Sequence, residues 1–300
     1  MNFDGIYTPA ITPLKADGAI DHPGFAQVLE HLIESKVHGI VVGGSTGEYY
    51  AHSGEERLAL IAQAGDVVGK RLPLVIGTGA IRTEDSVVFA QAARQQGADA
   101  ILVGTPPYAL PTQQEIAEHV LTVDRAADLP IMLYNYPGRM NVAMGEEFYD
   151  AIAGCRNVQS IKESSGDMAA LHRHAVKRPD LQLSCGWDDQ ALEFFVWGAR
   201  SWVCAGSNFV PREHVALYEA CVLERDFAKG RRIMAAMLPL MDYLEGGKFV
   251  QSIKYGCELA GLPNGGVRAP LKSLTEAEQA ELAQVITALK SNVNLIVQGA

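Results

Sequence analysis

The segment VQSIKESSGD, Val158 to Asp167, places a lysine inside what its neighbours describe as a short buried strand. An ammonium group is almost never fully buried without a partner, and loss of water disfavours its charged form. Lys162 therefore has two readings. At the end of a strand it can extend its head to solvent. Alternatively, burial lowers its pKa until the neutral amine attacks a carbonyl and forms a Schiff base. Strand alternation puts Lys162 on one face with Val158 and Ser160, and Ile161 on the other. If Ile161 packs on covering helices, Lys162 faces the inside of a closed sheet.

Other residues suit the same chemistry. Tyr134, in PIMLYNYP, offers a phenol able to move protons, although a tyrosine in an apolar strand is more commonly a packed aromatic with a satisfied hydroxyl. Ser45 and Thr46, in GGSTGE, offer two hydroxyls among Gly43, Gly44 and Gly47, a cluster that also serves as a tight turn or a helix cap. No metal set emerges from the histidines, because His172 and His174 stand two apart on an expected helix and cannot share a face. The five cysteines are far apart with no C-x-x-C pair, as expected of buried, reduced thiols.

The elements that must position these residues follow one rhythm. Apolar, β-branched runs at 5–13, 39–45, 72–79, 100–106, 130–137, 158–165, 181–187 and 201–209 read as strands. Between them lie helical patterns such as Phe25, Val28, Leu29, Leu32 and Ile33. Near-continuous apolar strands alternating with helices imply a parallel sheet covered on its outer face. Eight such units predict an α/β fold of the (β/α)8 TIM-barrel type, with chemistry at the C-terminal ends of the strands. Residues 1–210 would supply the barrel's strands and helices. Residues 211–300 would supply the last barrel helix and a C-terminal helical extension packed on it, the whole forming one catalytic unit.

Composition removes other classes. A chain of 300 residues with 48% hydrophobic content can bury a large core, and its formal charge of −10 leaves no basic stripe for nucleic acid. The N-terminal MNFDGIYTPAITP lacks a basic region followed by an apolar run, and no segment is long and apolar enough to span a bilayer, so a cytoplasmic protein is expected. A nucleotide-binding reading of VIGTGAIR fails for want of the third glycine, and GDVVGKR lacks the Walker spacing.

GGSTGE, YNYPGR and SIKESSGD, in this order along an eight-unit barrel, resemble the dihydrodipicolinate synthase/N-acetylneuraminate lyase family of pyruvate-dependent class I aldolases. The resemblance extends to the C-terminal IKYGCELAGLPNGGVRAPLKSLTEAE. It implies that Lys162 is the Schiff-base lysine, Tyr134 the proton-relaying tyrosine, and Ser45 and Thr46 the holders of the pyruvate carboxylate. Backbone N–H groups of Gly44 and of the following helix start would assist them. Tyr108 matches a tyrosine that synthase members donate to a neighbour's relay through Ser45. Arg139 matches the arginine that meets the carboxylate of aspartate semialdehyde, and Cys204 joins the substrate-binding set. The implied activity is 4-hydroxy-tetrahydrodipicolinate synthesis, a step of lysine biosynthesis. It needs no cofactor beyond the covalent imine of pyruvate, and the implied assembly is a homotetramer of paired dimers.

Several positions depart from the synthase pattern. Met140 and Asn141 follow the arginine, Tyr49 and Tyr50 follow Glu48, and Tyr136 replaces a small aliphatic residue; CGWDDQ, 185–190, resembles the keto-deoxy-sugar-acid aldolases. A 2-keto-3-deoxy-sugar-acid aldolase or dehydratase, or an N-acetylneuraminate lyase, is the alternative. A non-catalytic relative is disfavoured by retention of both Lys162 and Tyr134. Pro107 before Tyr108, and Ile81 where an amide is usual, predict little inhibition by lysine.

Overall fold

The computed structural model describes residues 1–299. Strands β1 (Gly5–Pro9), β2 (Gly39–Val42), β3 (Leu74–Gly77), β4 (Ala100–Gly104), β5 (Ile131–Asn135), β6 (Val158–Glu163), β7 (Gln182–Cys185) and β8 (Ser201–Val203) run parallel and close in sequential order into a barrel. Helices such as His22–Glu34, Gly54–Val68, Thr83–Gln95 and Gln113–Ala127 cover its outside. Apolar residues face both ways from the strands. Ile6, Ile40, Ile76, Ile101, Leu133, Ile161 and Trp202 join the outer core under the helices, whereas Tyr7, Val41, Val75, Leu102, Met132, Tyr134 and Val203 fill the barrel. Burial on both faces is why these strands read as continuous apolar runs.

Two local departures from the expected strands have physical causes. The run at 201–209 is strand only as far as Val203, because polar side chains capture the backbone beyond it. After β8, Ser207 Oγ donates to the Cys204 carbonyl at 2.6 Å, and Asn208 Nδ2 donates to the carbonyls of Pro9 and Ala205, both at 2.9 Å. Val158 does not share a face with Lys162. Ile131 pairs with Val158, but Met132 pairs with Ser160, so a bulge at Gln159 breaks the alternation and sends Val158 into the outer core.

Beyond the barrel, the helices Phe227–Glu245, Phe249–Leu259 and Glu276–Gln298 bury Met237, Leu240, Met241, Ile253, Cys257, Leu282, Ile286 and Leu289 in the same outer core. Polar ties fasten this segment to the loop after β2. Lys254 forms a buried ion pair with Glu48, and Arg268 holds both Glu56 and the carbonyls of Ala51 and Gly18. Among the described residues, no helix is long and apolar enough to cross a membrane.

Candidate active site

Strand register sets the central pair. Tyr134 on β5 stands directly opposite Lys162 on β6, and Lys162 opposite Ser184 on β7. The Lys162 Nζ lies 4.3 Å from the centroid of the Tyr134 ring. Both side chains are buried, and Lys162 enters no salt bridge among the described residues. Its pKa falls to about 8, chiefly through loss of water. The charge of Asp188 opposes that fall. Asp188 is itself buried, accepts a hydrogen bond from Trp202 Nε1 at 2.9 Å, and is pushed up to about 6 by desolvation. Burial raises the Tyr134 phenol well above the usual tyrosine range, with contact from the Ser45 side chain pulling the other way. It is therefore a protonated donor at neutral pH.

The neighbouring residues hold this pair in place. Glu163, next along β6 and facing away from Lys162, accepts from Asn135 Nδ2 and Ser165 N at 2.8 Å and lies 3.1 Å from His174 Nε2. Burial acts to raise its pKa, but these hydrogen bonds outweigh burial and hold it below the ordinary value. The network ties the ends of β5 and β6 together beneath the site. Gly186 lets Lys162 lie where it does: a Cβ there would stand 2.8 Å from Lys162 Cε. Gly43, at φ +77, makes the left-handed step that turns β2 into the GGSTG loop.

A cleft at the C-terminal ends of the strands brings together Lys162, Tyr134, Gly44, Ser45, Thr46 and Arg139. Ser45–Gly47 forms a short 3-10 turn rather than the start of a helix, and the next α-helix begins only at Gly54, capped by Ser53 and Glu56. The helix dipole expected to help hold a carboxylate is thus absent from this loop. The N–H groups of Gly47 and Glu48 already bond to the carbonyls of Gly44 and Ser45, which leaves those of Ser45 and Thr46 for an anion. Arg139 stands on the turn Pro137–Met140, its guanidinium 5.6 Å from the centre of the Tyr136 ring and 6.0 Å from that of Phe249.

Two candidates lie elsewhere. Tyr108 is 86% exposed, held at φ +70, and does not line the cleft of its own chain. Cys204 is also outside the cleft. Its thiol packs in the outer core and only its neighbours Val203 and Ala205 reach the cavity, because alternation turns residue 204 away. Sequence reasoning assigned no role to Asp188, Glu245, Phe249 or Gly186, all of which line the cleft. The acidic pair of CGWDDQ at the end of a strand was a readable signal for Asp188; Glu245, on an amphipathic helix far along the chain, offered none. Among the described residues, no group of three or more His, Cys, Asp or Glu side chains is arranged to hold a metal ion.

This geometry can be set beside known proteins. The sequence profile of the Dihydrodipicolinate synthetase family matches residues 2–289. The 4-hydroxy-tetrahydrodipicolinate synthase of Exiguobacterium sibiricum is 35% identical over 292 residues, covering 97% of this chain and 99% of that protein. Among solved structures, the 4-hydroxy-tetrahydrodipicolinate synthase of Methylacidiphilum fumariolicum superposes with a TM-score of 0.93 at 28% identity, covering 99% of both chains. An Escherichia coli K12 prophage protein of the dihydrodipicolinic acid synthase family, solved in complex with pyruvate, gives 0.90 at 31% identity, covering 97% of this chain and 99% of that one. With the profile spanning nearly the whole chain and the barrel, the buried lysine and its facing tyrosine in place, the chain belongs to the dihydrodipicolinate synthetase family.

Proposed function

We propose that this chain is a class I aldolase that condenses pyruvate with aspartate semialdehyde, the chemistry of a 4-hydroxy-tetrahydrodipicolinate synthase. One observation carries the reading: a buried lysine without an ionic partner, its pKa lowered to about 8, directly beside a protonated phenol at the catalytic end of a barrel. The neutral Lys162 amine attacks C2 of pyruvate, and the carbinolamine loses water to give an imine. Loss of a methyl proton gives an enamine, whose carbon forms a C–C bond to the aldehyde carbon while the aldehyde oxygen takes a proton. Water or the substrate's own amine then releases Lys162. The protonated Lys162 imine is the electron sink, so no further cofactor is needed.

The other residues fit this sequence. Tyr134 is poised to give a proton to the departing hydroxyl and to recover one through Ser45, since its raised pKa makes a lasting phenolate unfavourable. Ser45, Thr46 and Gly44 would hold the pyruvate carboxylate, and Arg139 that of the aldehyde. The exposure of Tyr108, together with that of Leu110 and Ile81, suits a surface that meets a second copy, with Tyr108 completing the neighbour's relay in a homotetramer. Pro107 and Ile81 offer lysine no hydrogen bond there, so weak inhibition by lysine is expected. Five free cysteines suit a reducing, cytoplasmic setting.

The test is borohydride reduction with pyruvate followed by peptide mapping, and a panel assay of aspartate semialdehyde against sialic and keto-deoxy-sugar acids. An adduct on Lys162 and highest kcat/KM for the semialdehyde are expected. An adduct elsewhere removes the mechanism, and preference for a sugar acid removes the substrate.

A further inference from the structure

The mouth of the cleft carries two groups of opposite charge with no ion-pair partner among the described residues. Arg139 reaches it from the turn after β5, and Glu245 from the last turn of the helix Phe227–Glu245 in the C-terminal extension. Neither enters a salt bridge among the described residues. The charged groups facing Glu245 are Asp188 and Asp189 from the turn after β7, Arg139, and Lys162 at the floor. Surrounding protein and the two aspartates push its carboxyl up to about 7. An incoming cation would relieve that repulsion. Aromatic rings line the cleft around them: Tyr136 and Trp187 meet edge to face at 6.2 Å, and Phe249 contributes a third ring from the C-terminal extension. Their apolar faces limit access of water and strengthen any charge pairing made there.

We propose that Glu245 is a specificity-determining residue that receives the ammonium group of the aldehyde substrate while Arg139 receives its carboxylate. The inference rests on the synthase reading. Aspartate semialdehyde carries its ammonium and carboxylate on one carbon, so two anchors of opposite sign fix the rotation of that carbon. They thereby fix which face of the aldehyde meets the enamine. An aldehyde acid without an ammonium meets Arg139 but is repelled by Glu245, Asp188 and Asp189. Selection against it is therefore built from repulsion as well as attraction.

Glu245→Gln separates this role from the general reading. The readouts are KM for aspartate semialdehyde, KM for pyruvate, and the inhibition constant of succinic semialdehyde, which is the same aldehyde without the ammonium. Loss of one charge-assisted contact should raise KM for aspartate semialdehyde about 10- to 100-fold. Pyruvate KM should hold, and succinic semialdehyde should bind as well as before or better. In the wild-type protein, discrimination between the two aldehydes should grow as pH rises through about 7 and Glu245 ionises; in the variant that step should vanish, leaving only the change near pH 6 from Asp188. Comparing two aldehydes at each pH cancels the titration of Lys162. Equal changes for both aldehydes, or no change, would overturn the role of Glu245. A wild-type protein that traps pyruvate on Lys162 yet does not consume aspartate semialdehyde would instead overturn the substrate reading, and this inference with it.

Discussion

Two buried lysines, in two regions of the barrel's upper end, have opposite surroundings. Lys254, on the helix Phe249–Leu259, is 1% exposed, ion-paired with Glu48 and donating to the Gly266 carbonyl. Desolvation lowers its pKa, and Glu48 opposes that shift both as a charge and as a hydrogen-bond acceptor. Lys162 is 9% exposed, with an aromatic face beside it and a carboxylate, Asp188, that acts only through space and is itself partly neutralised by burial. The same side chain is a fastener in one place and a nucleophile in the other. What separates them is the partner, for burial is common to both. A paired ammonium stays charged and holds two segments together; an unpaired one loses its proton readily and gains a lone pair.

Replacing Lys162 should have the largest effect. Lys162→Arg keeps the charge but cannot present a neutral amine, so turnover should fall by roughly four orders of magnitude or more, and no borohydride adduct should form. A variant that still forms the adduct would erase the contrast between the two lysines. Lys254→Met should do the reverse. It leaves Glu48 buried without its partner, which should lower unfolding free energy by about 3–5 kcal/mol in a denaturant titration, while the folded fraction still traps pyruvate. Adding Glu48→Gln should recover much of that loss, because the stranded charge causes most of it.

Smaller effects concern pH. Attack by Lys162 needs the free amine, so the rate of imine formation should rise about tenfold per pH unit up to about 8 and then level off. Since Asp188 stabilises the ammonium, Asp188→Asn should move that limb to lower pH, by less than about one unit if the carboxylate is mostly screened. Single-turnover measurements across pH 6–9 would show either shift. The corresponding stability sign is fixed. A lysine lowered from 10.5 to about 8 opposes folding below pH 8, and that opposition fades between about 8 and 10.5. Lys162→Met should therefore be at least as stable as wild type at pH 7, with the advantage shrinking as pH rises.

Much of this is legible in the sequence alone. Eight doubly buried strands leave continuous apolar runs, a lysine within one of them breaks the run, and both are local properties of the chain. So Lys162, Tyr134, Ser45 and Thr46 could be named, and the barrel that gathers them could be expected. Val158 was misplaced because a bulge depends on the neighbouring strand, which alternation within one strand does not register. Alternation puts Val203 and Cys204 on opposite faces, and only closure of the barrel shows that Val203 faces the cavity and Cys204 the outer core. Nothing local marks Glu48 as half of an ion pair, because its partner Lys254 comes from a helix far along the chain. Nothing in the sequence marks Gly186, and only the packed barrel shows Lys162 lying over its missing side chain. The sequence by itself determined which groups are available for chemistry and which strands carry them, because residue type and apolar pattern are local properties of the chain. Tertiary structure alone decided which lysine is paired, which carboxylate reaches the mouth and which glycine leaves room, because each of those depends on a contact between segments whose separation along the chain carries no periodic signal.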